Sequence, residues 1–195
     1  KVVEEYGDKR SMGKSLYNIG EVYLYKGDLD KSLYYFNRSL KIYELLDNKR
    51  HIASTLIYIG WNHYEIGDYD KALDCYNRQI KIYEELGWEN ISNEINNIGL
   101  IYYQQEDYNK ALEFLDKSAT MQMELDSTIH LETKSYLLLT KKILGKEYNV
   151  AEIHTLIKEQ EEIEYYINFA LFKLLDDTSY LETAYNQIKE QADAM

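Results

Sequence analysis

The chain contains no proline, although 195 residues at average usage would carry roughly ten. Proline-rich linkers and collagen-like or mucin-like segments are therefore excluded, and a turn-rich all-β sandwich is disfavoured. With every backbone nitrogen keeping its donor, helices joined by short turns become the expected architecture. Cysteine is nearly absent too. Cys75 stands alone, which excludes an internal disulfide framework and a cysteine-based zinc site and fits a reducing compartment, the cytoplasm. Apolar runs are short: Tyr136–Leu139 and Ile167–Leu171, broken by Asn168, fall far below the roughly 20 residues of a membrane span. Positive charge is scarce, with 22 Lys and Arg against 34 Asp and Glu, a formal charge of −12. Duplex nucleic acid and anionic membrane, which need clustered cations, are disfavoured as partners, and a neutral to basic protein segment is favoured.

Catalytic and metal-binding patterns are missing as well. The histidines, His51, His63, His130 and His154, form no i, i+4 pair, and there is no HExxH, cysteine cluster, GxGxxG or Walker loop. No cofactor, metal or catalytic residue is expected, and the chain is read as a non-enzyme. His63 is expected to be a packed, hydrogen-bonded core residue and Cys75 an inert thiol. Glu159, Glu161, Glu162 and Glu164 read as a solvated helix face or junction.

What is present is an ordinary globular balance, 45% hydrophobic and 29% charged, and an excess of tyrosine, 21 in all. An offset of 40 brings residues 11–50 onto 51–90 with 15 identities in 40 positions, where unrelated segments share roughly two or three. A third copy follows with Ile98-Gly99, Asp107-Tyr108 and Lys110-Ala111-Leu112. A fourth keeps Gly145, Tyr148 and Ala151, and a fifth pair, about 162–176 and 179–193, keeps the apolar spacing and Ala184. Within each unit Leu16, Ile19, Gly20 and Tyr23, and then Leu33, Phe36, Leu40 and Tyr43, recur at helical spacing and predict two antiparallel helices. Gly27 and Gly67 suit the left-handed turn between them, and Asp28 and Asp68 suit the cap of the second helix. Gly20, Gly60 and Gly99 fall inside helices, where glycine costs about 1 kcal/mol against alanine; close approach of a neighbouring helix is the expected reason.

The pattern Leu16…Ile19-Gly20…Tyr23, Leu56…Ile59-Gly60…His63 and Ile95…Ile98-Gly99…Tyr102, followed by Ser32/Phe36, Ala72/Tyr76 and Ala111/Leu115, resembles the tetratricopeptide repeat. The resemblance implies an all-α, right-handed α-solenoid of antiparallel helix pairs, about 4–5 repeats, with a concave groove. Two departures stand out: Leu or Ile replaces the usual tryptophan, and the proline that closes the second helix is absent. The second departure goes with a period near 40 instead of 34. Such long repeats are similar to those of kinesin light chains and prokaryotic signalling arrays.

The expected organisation is residues 1–10 as the end of a truncated preceding repeat, 11–50 repeat 1, 51–89 repeat 2, 90–128 repeat 3, 129–160 a degenerate repeat 4 and 161–195 a degenerate C-terminal helix pair. Lys1–Gly7 aligns with Lys81–Gly87 and Ile188–Met195 stops in helical sequence, so the chain is read as a piece of a longer array.

By register, the resemblance places the groove at Lys14, Tyr17, Asn18, Glu21, Leu24 and Tyr25 of the first unit. The second unit contributes Ser54, Ile57, Tyr58, Trp61, Tyr64 and Glu65, and the third Asn93, Asn96, Asn97, Leu100, Tyr103 and Gln104. Rigid rings and amides are suited to holding a peptide. In this register Lys14 is the groove's cation, so the basic clamp by which some members grip a C-terminal carboxylate is not expected, and Glu21 and Glu65 favour a neutral to basic segment. The expected function is a protein-protein interaction module that binds an extended peptide or partner segment within a larger signalling or regulatory protein. The alternative is a structural spacer or a scaffold that self-associates through the repeat ends.

Overall fold

A computed structural model describes residues 2–126, 128–158, 160 and 163–193 of the chain. The described residues contain ten helices and no strand: α1 Val2–Tyr25, α2 Leu29–Leu45, α3 Lys49–Ile66, α4 Tyr69–Leu86, α5 Ser92–Gln104, α6 Tyr108–Asp126, α7 Leu131–Ile143, α8 Ala151–Lys158, α9 Tyr165–Leu175 and α10 Thr178–Asp193. They form two units, 1–94 and 95–195, with residues 92–94 of α5 in the first. Residues 2–10, aligned in sequence with the tail of an earlier second helix, are continuous with α1. Of the glutamate run, Glu159, Glu161 and Glu162 lie outside the described residues.

The turns follow from backbone chemistry. Gly67 ends α3 at φ 83°, a left-handed conformation that costs glycine little. The next residue, Asp68, then caps α4 by accepting the Lys71 backbone N–H at 3.4 Å. Asp28 does the same for α2 through Lys31 at 3.1 Å, and Asp107 for α6 through Lys110 at 3.2 Å. In the third repeat the turn has no glycine, and Glu106 takes the left-handed position at φ 61°. The Glu106 and Asp107 backbone N–H groups close this turn by donating to the Tyr103 and Tyr102 carbonyls at 3.1 and 3.0 Å.

In the first unit α1 packs on α2, α2 on α3 and α3 on α4. Phe36, Leu40 and Tyr43 of α2 join Ile52, Ala53, Leu56 and Ile59 of α3 and Ile82 of α4 in one buried cluster. Each such large apolar side chain contributes about 1.5–3 kcal/mol on burial. The helical glycines make this packing possible. A Cβ on Gly20 would meet the Phe36 ring at 2.9 Å, one on Gly60 the Tyr76 ring at 3.0 Å and one on Gly99 the Leu115 side chain at 2.9 Å. Ile59 and Ile98 are buried, while Ile19 at the same register of α1 is 39% exposed.

In the second unit α6 packs on α7, α7 on α8 and α9, and α9 on α10. Ile101, Leu115, Ile153 and Leu171 are fully buried. The eroded sequences therefore still form helix pairs, α7 with α8 around Gly145 and α9 with α10. Tyr148, expected at a packing position, is 42% exposed. It sits in the non-helical stretch between α7 and α8 rather than in the first turn of a helix, as Tyr69 and Tyr108 do. Threaded through this unit is a polar network: Gln122 donates to Thr133 at 3.0 Å, Thr133 to Asn96 at 2.9 Å, and Asn96 to Glu132 at 2.8 Å. Buried polar groups satisfied in this way cost little and fix one arrangement of helices.

Candidate functional site

The close approach at Gly20 brings Phe36 of α2 between α1 and α3, and a ring cluster forms there. Tyr17 meets Phe36 edge-on at 5.5 Å and Tyr58 edge-on at 5.4 Å, and Phe36 stacks with Tyr58 at 5.1 Å. Both tyrosines are half-buried, so they form a rigid wall. Burial raises the pKa of Tyr17 above its ordinary value, assisted by its hydrogen bond to the Tyr58 hydroxyl. Further along α3, Trp61 is half-buried with its ring 5.6 Å from Tyr64, which in turn lies 6.0 Å from Tyr69 of α4.

Beside the Tyr17 wall lies a cavity of about 500 Å³, lined by Arg10, Lys14, Tyr17 and Asn18 of α1, Tyr43 of α2, and His51 and Ser54 of α3. Lys14, Asn18 and Ser54 are exposed at its mouth, and Tyr43 is 1% exposed at its base. The His51 ring lies 4.5 Å from that of Tyr43. Its Nδ1 is 2.9 Å from Asn48 Oδ1, the oxygen that also accepts the His51 backbone N–H at 3.3 Å. An amide oxygen only accepts, so Nδ1 carries the proton and Nε2 is the nitrogen that titrates. Burial, then Arg10, then Lys14 push the imidazole pKa below its ordinary value.

The sequence-predicted groove divides into three groups. In the first unit Lys14, Tyr17 and Asn18 line the cavity, Tyr58 belongs to its aromatic wall, and Trp61 and Tyr64 form a second ring pair. Glu21, Leu24 and Ile57 are half-buried, Glu65 and Asn93 are exposed, and Tyr25 is 89% exposed. On α5, Asn97 is half-buried and Gln104 exposed. Asn96, Leu100 and Tyr103, expected on an open groove, are instead buried. Asn96 is engaged by Glu132 and Thr133 of α7, and the Tyr103 ring is held edge-on by Tyr136 of α7 at 5.1 Å. α7 covers Asn96 and Tyr103 within their own unit, and the single-helix register contains no information about that cover.

Two other expectations change. Lys14 is not the sole basic side chain of this surface: Arg10 and His51 line the same cavity. Arg10 lies one turn before Lys14 on the same helix face, and His51 one turn before Ser54, so extending each register back by a turn would have found both. His63 is packed, but its buried Nδ1 lacks a hydrogen-bond partner among the described residues, with Asp68 Oδ2 at 3.9 Å. Burial pushes its pKa down against the opposing pull of Asp68. Cys75 is half-buried, and burial raises its thiol to about 11. Among the described residues no group of His, Cys, Asp or Glu is arranged to hold a metal ion, and no helix is long and apolar enough to cross a membrane.

A family model described as tetratricopeptide repeat matches residues 11–85, and a second of the same description matches residues 95–122. No curated protein matches the chain in sequence. Solved structures with the same fold include the apo form of RapI, with TM-score 0.73 and 18% identity, covering 94% of this chain and 54% of that one. The Rap conjugation gene regulator of the plasmid pLS20, in complex with the Phr* peptide, aligns with TM-score 0.62 and 17% identity over 90% of this chain and 46% of its own. Aspartyl phosphate phosphatase F from Bacillus subtilis aligns with TM-score 0.73 and 14% identity over 94% and 51%. The chain thus spans about half the length of these structures. Identities this low establish a shared fold, an all-α array of antiparallel helix pairs. Together with the two matched segments, they show that the chain belongs to the tetratricopeptide-repeat family.

Proposed function

We propose that the chain is a binding module that captures an extended peptide or partner segment on the face carried by α1 and α3, within a larger regulatory protein of the cytoplasm. The observation that carries this reading is the cavity of about 500 Å³ walled by Tyr17, flanked by Tyr58 and opened to solvent by Lys14, Asn18 and Ser54. Rings held in fixed positions offer contact area at low entropic cost, and amides beside them pair with a peptide backbone. The fold is shared with a regulator solved in complex with a peptide, which supports the same use here. The segment is neutral to basic along most of its length, drawn by Glu21 and Glu65. The chain is read as a scaffold for recognition, with no catalytic step assigned to it and with neither nucleic acid nor membrane as partner.

A random heptapeptide library panned against the chain tests the proposal. Enriched peptides are expected to lose binding on Trp61→Ala combined with Tyr58→Ala. Unchanged capture by that variant would remove the α1/α3 face from consideration.

A second reading has its own observation. Leu181, Tyr185 and Ile188 form an i, i+4, i+7 stripe on α10 and are 37%, 66% and 49% exposed. We infer that this stripe supports self-association. Light scattering on the wild type and on Tyr185→Glu checks it, and a concentration-independent monomer for both would reject it.

A further inference from the structure

The first and third repeats each carry the same three-part stack. In the first, the rings of Tyr23 on α1 and Tyr35 on α2 lie parallel, with centroids 5.4 Å and planes 2° apart. Lys31 Nζ covers the Tyr23 ring at 5.1 Å from its centroid. In the third, Tyr102 on α5 and Phe114 on α6 stack at 5.4 Å and 25°, and Lys110 Nζ lies 4.8 Å from the Tyr102 centroid. The second repeat keeps the lysine as Lys71. It has His63 at the position of the first ring and Cys75 at the position of the second. A thiol is far smaller than a six-membered ring, and a cavity of about 240 Å³ opens where His63, Lys71 and Cys75 meet.

The chemistry of that cavity is apolar inside and neutral at its edge. Leu40 of α2 and Leu56 and Ile59 of α3 line it and are themselves buried. The cations that border it are already paired, Lys71 with Asp68 and Arg78 with Glu44. An opening of this kind favours a neutral apolar group over an anion. Asn37, Asp74 and Arg78 stand exposed around it and offer hydrogen-bonding groups to a main chain passing outside.

We propose that this cavity receives the ring of a phenylalanine or tyrosine carried by a partner protein segment. The ring stacks on His63 as Tyr35 stacks on Tyr23 and Phe114 on Tyr102, so the partner completes the stack that the other two repeats build for themselves. A ring in this position gains an aromatic contact as well as burial against Leu40, Leu56 and Ile59. The site is separate from the α1/α3 face. Leu56, Ile59 and His63 project from the side of α3 opposite Ser54, Tyr58 and Trp61, so either site can fail without the other.

The test titrates the chain with N-acetylphenylalaninamide, N-acetyltyrosinamide, N-acetylleucinamide and p-cresol, and follows the His63 ring protons by NMR. It is run at pH 8, where burial keeps the imidazole neutral. Both aromatic amides should shift these protons upfield through the ring current and bind about tenfold more tightly than the leucine amide. Cys75→Phe supplies the ring from within and should abolish the response, whereas Cys75→Ser leaves the space open and should retain it. If Cys75→Phe does not fold, Asn37→Trp, placed at the exposed opening, serves as the blocking variant. Equal affinity for the leucine amide, or an undiminished response in a folded blocking variant, overturns the ring site. A response to p-cresol alone overturns the protein segment as occupant, because the main chain is then excluded. No response to any probe overturns the site altogether.

Discussion

Asn96 donates its side-chain amide to the Glu132 carboxyl at 2.8 Å, joining α5 to α7 through a group that burial disfavours as an anion. Burial raises the Glu132 pKa from 4.5 to about 7, opposed by the hydrogen bonds from Asn96 and Tyr166 and reinforced by Glu164. The folded pKa is the higher one, so the stabilising contribution is full below about pH 4.5 and is lost as pH rises through about 7. Glu132→Gln keeps an acceptor for Asn96 and removes the charge. It should stabilise the chain at pH 8 by about 1–2 kcal/mol, with little change or a small loss at pH 5. Urea unfolding at the two pH values checks this, and an equal difference at both would show that the carboxyl is not charged against its surroundings.

The helical glycine at 99 and the turn glycine at 67 should fail for different reasons. A Cβ on Gly99 would lie 2.9 Å from Leu115 Cγ and 3.2 Å from its backbone nitrogen, which cannot swing aside. Gly99→Ala should therefore cost about 1–3 kcal/mol of overpacking, more than the roughly 1 kcal/mol it gains in helix propensity. Gly67 has nothing within 4 Å of an added Cβ, and its φ of 83° alone should make Gly67→Ala cost about 1–2 kcal/mol. Leu115→Ala in the Gly99→Ala background separates the two: relief by the double variant would locate the strain at that contact.

His51 should titrate below its ordinary value, and Arg10→Gln or Lys14→Gln should each move its pKa upward, because each variant removes a cation that opposes protonation. The larger shift is expected from Arg10. The sign for stability is set by a folded pKa below the unfolded one. The native state resists taking up the proton, so stability is lost as pH falls through the ordinary histidine range toward the depressed value. NMR titration of the four imidazoles resolves the site, and an unmoved His51 in both variants would mean that the two cations do not reach the ring.

Cys75 should react slowly. Its thiol is half-buried against the core and raised to about 11, so thiolate is scarce at neutral pH. Labelling with a disulfide reagent at pH 7.5 should run at least about tenfold slower than for a free cysteine and speed up on addition of denaturant. Immediate labelling of the folded chain would contradict the packing of α4 around Gly60 and Cys75.

Sequence alone determined the local and periodic features. Helix pairs, left-handed turns, Asp caps and small residues at close approaches are set within one or two turns of chain, and their repetition at 40 residues multiplied each weak signal. Gly20, Gly60 and Gly99 were legible because a costly residue recurs where a ring or leucine must fit. The family followed from the same pattern. The tertiary structure decided which side chains stay accessible. Asn96, Leu100 and Tyr103 share the register of the groove residues but are buried, and α7 engages Asn96 and Tyr103. Glu106 takes a left-handed turn position without being glycine, in a turn closed by backbone hydrogen bonds to Tyr102 and Tyr103. Arg10, Lys14, Tyr43 and His51 come from three helices and meet in one cavity. Helical periodicity sorts residues onto the faces of a single helix, whereas burial and charge at a site depend on which other helix lies across from that face.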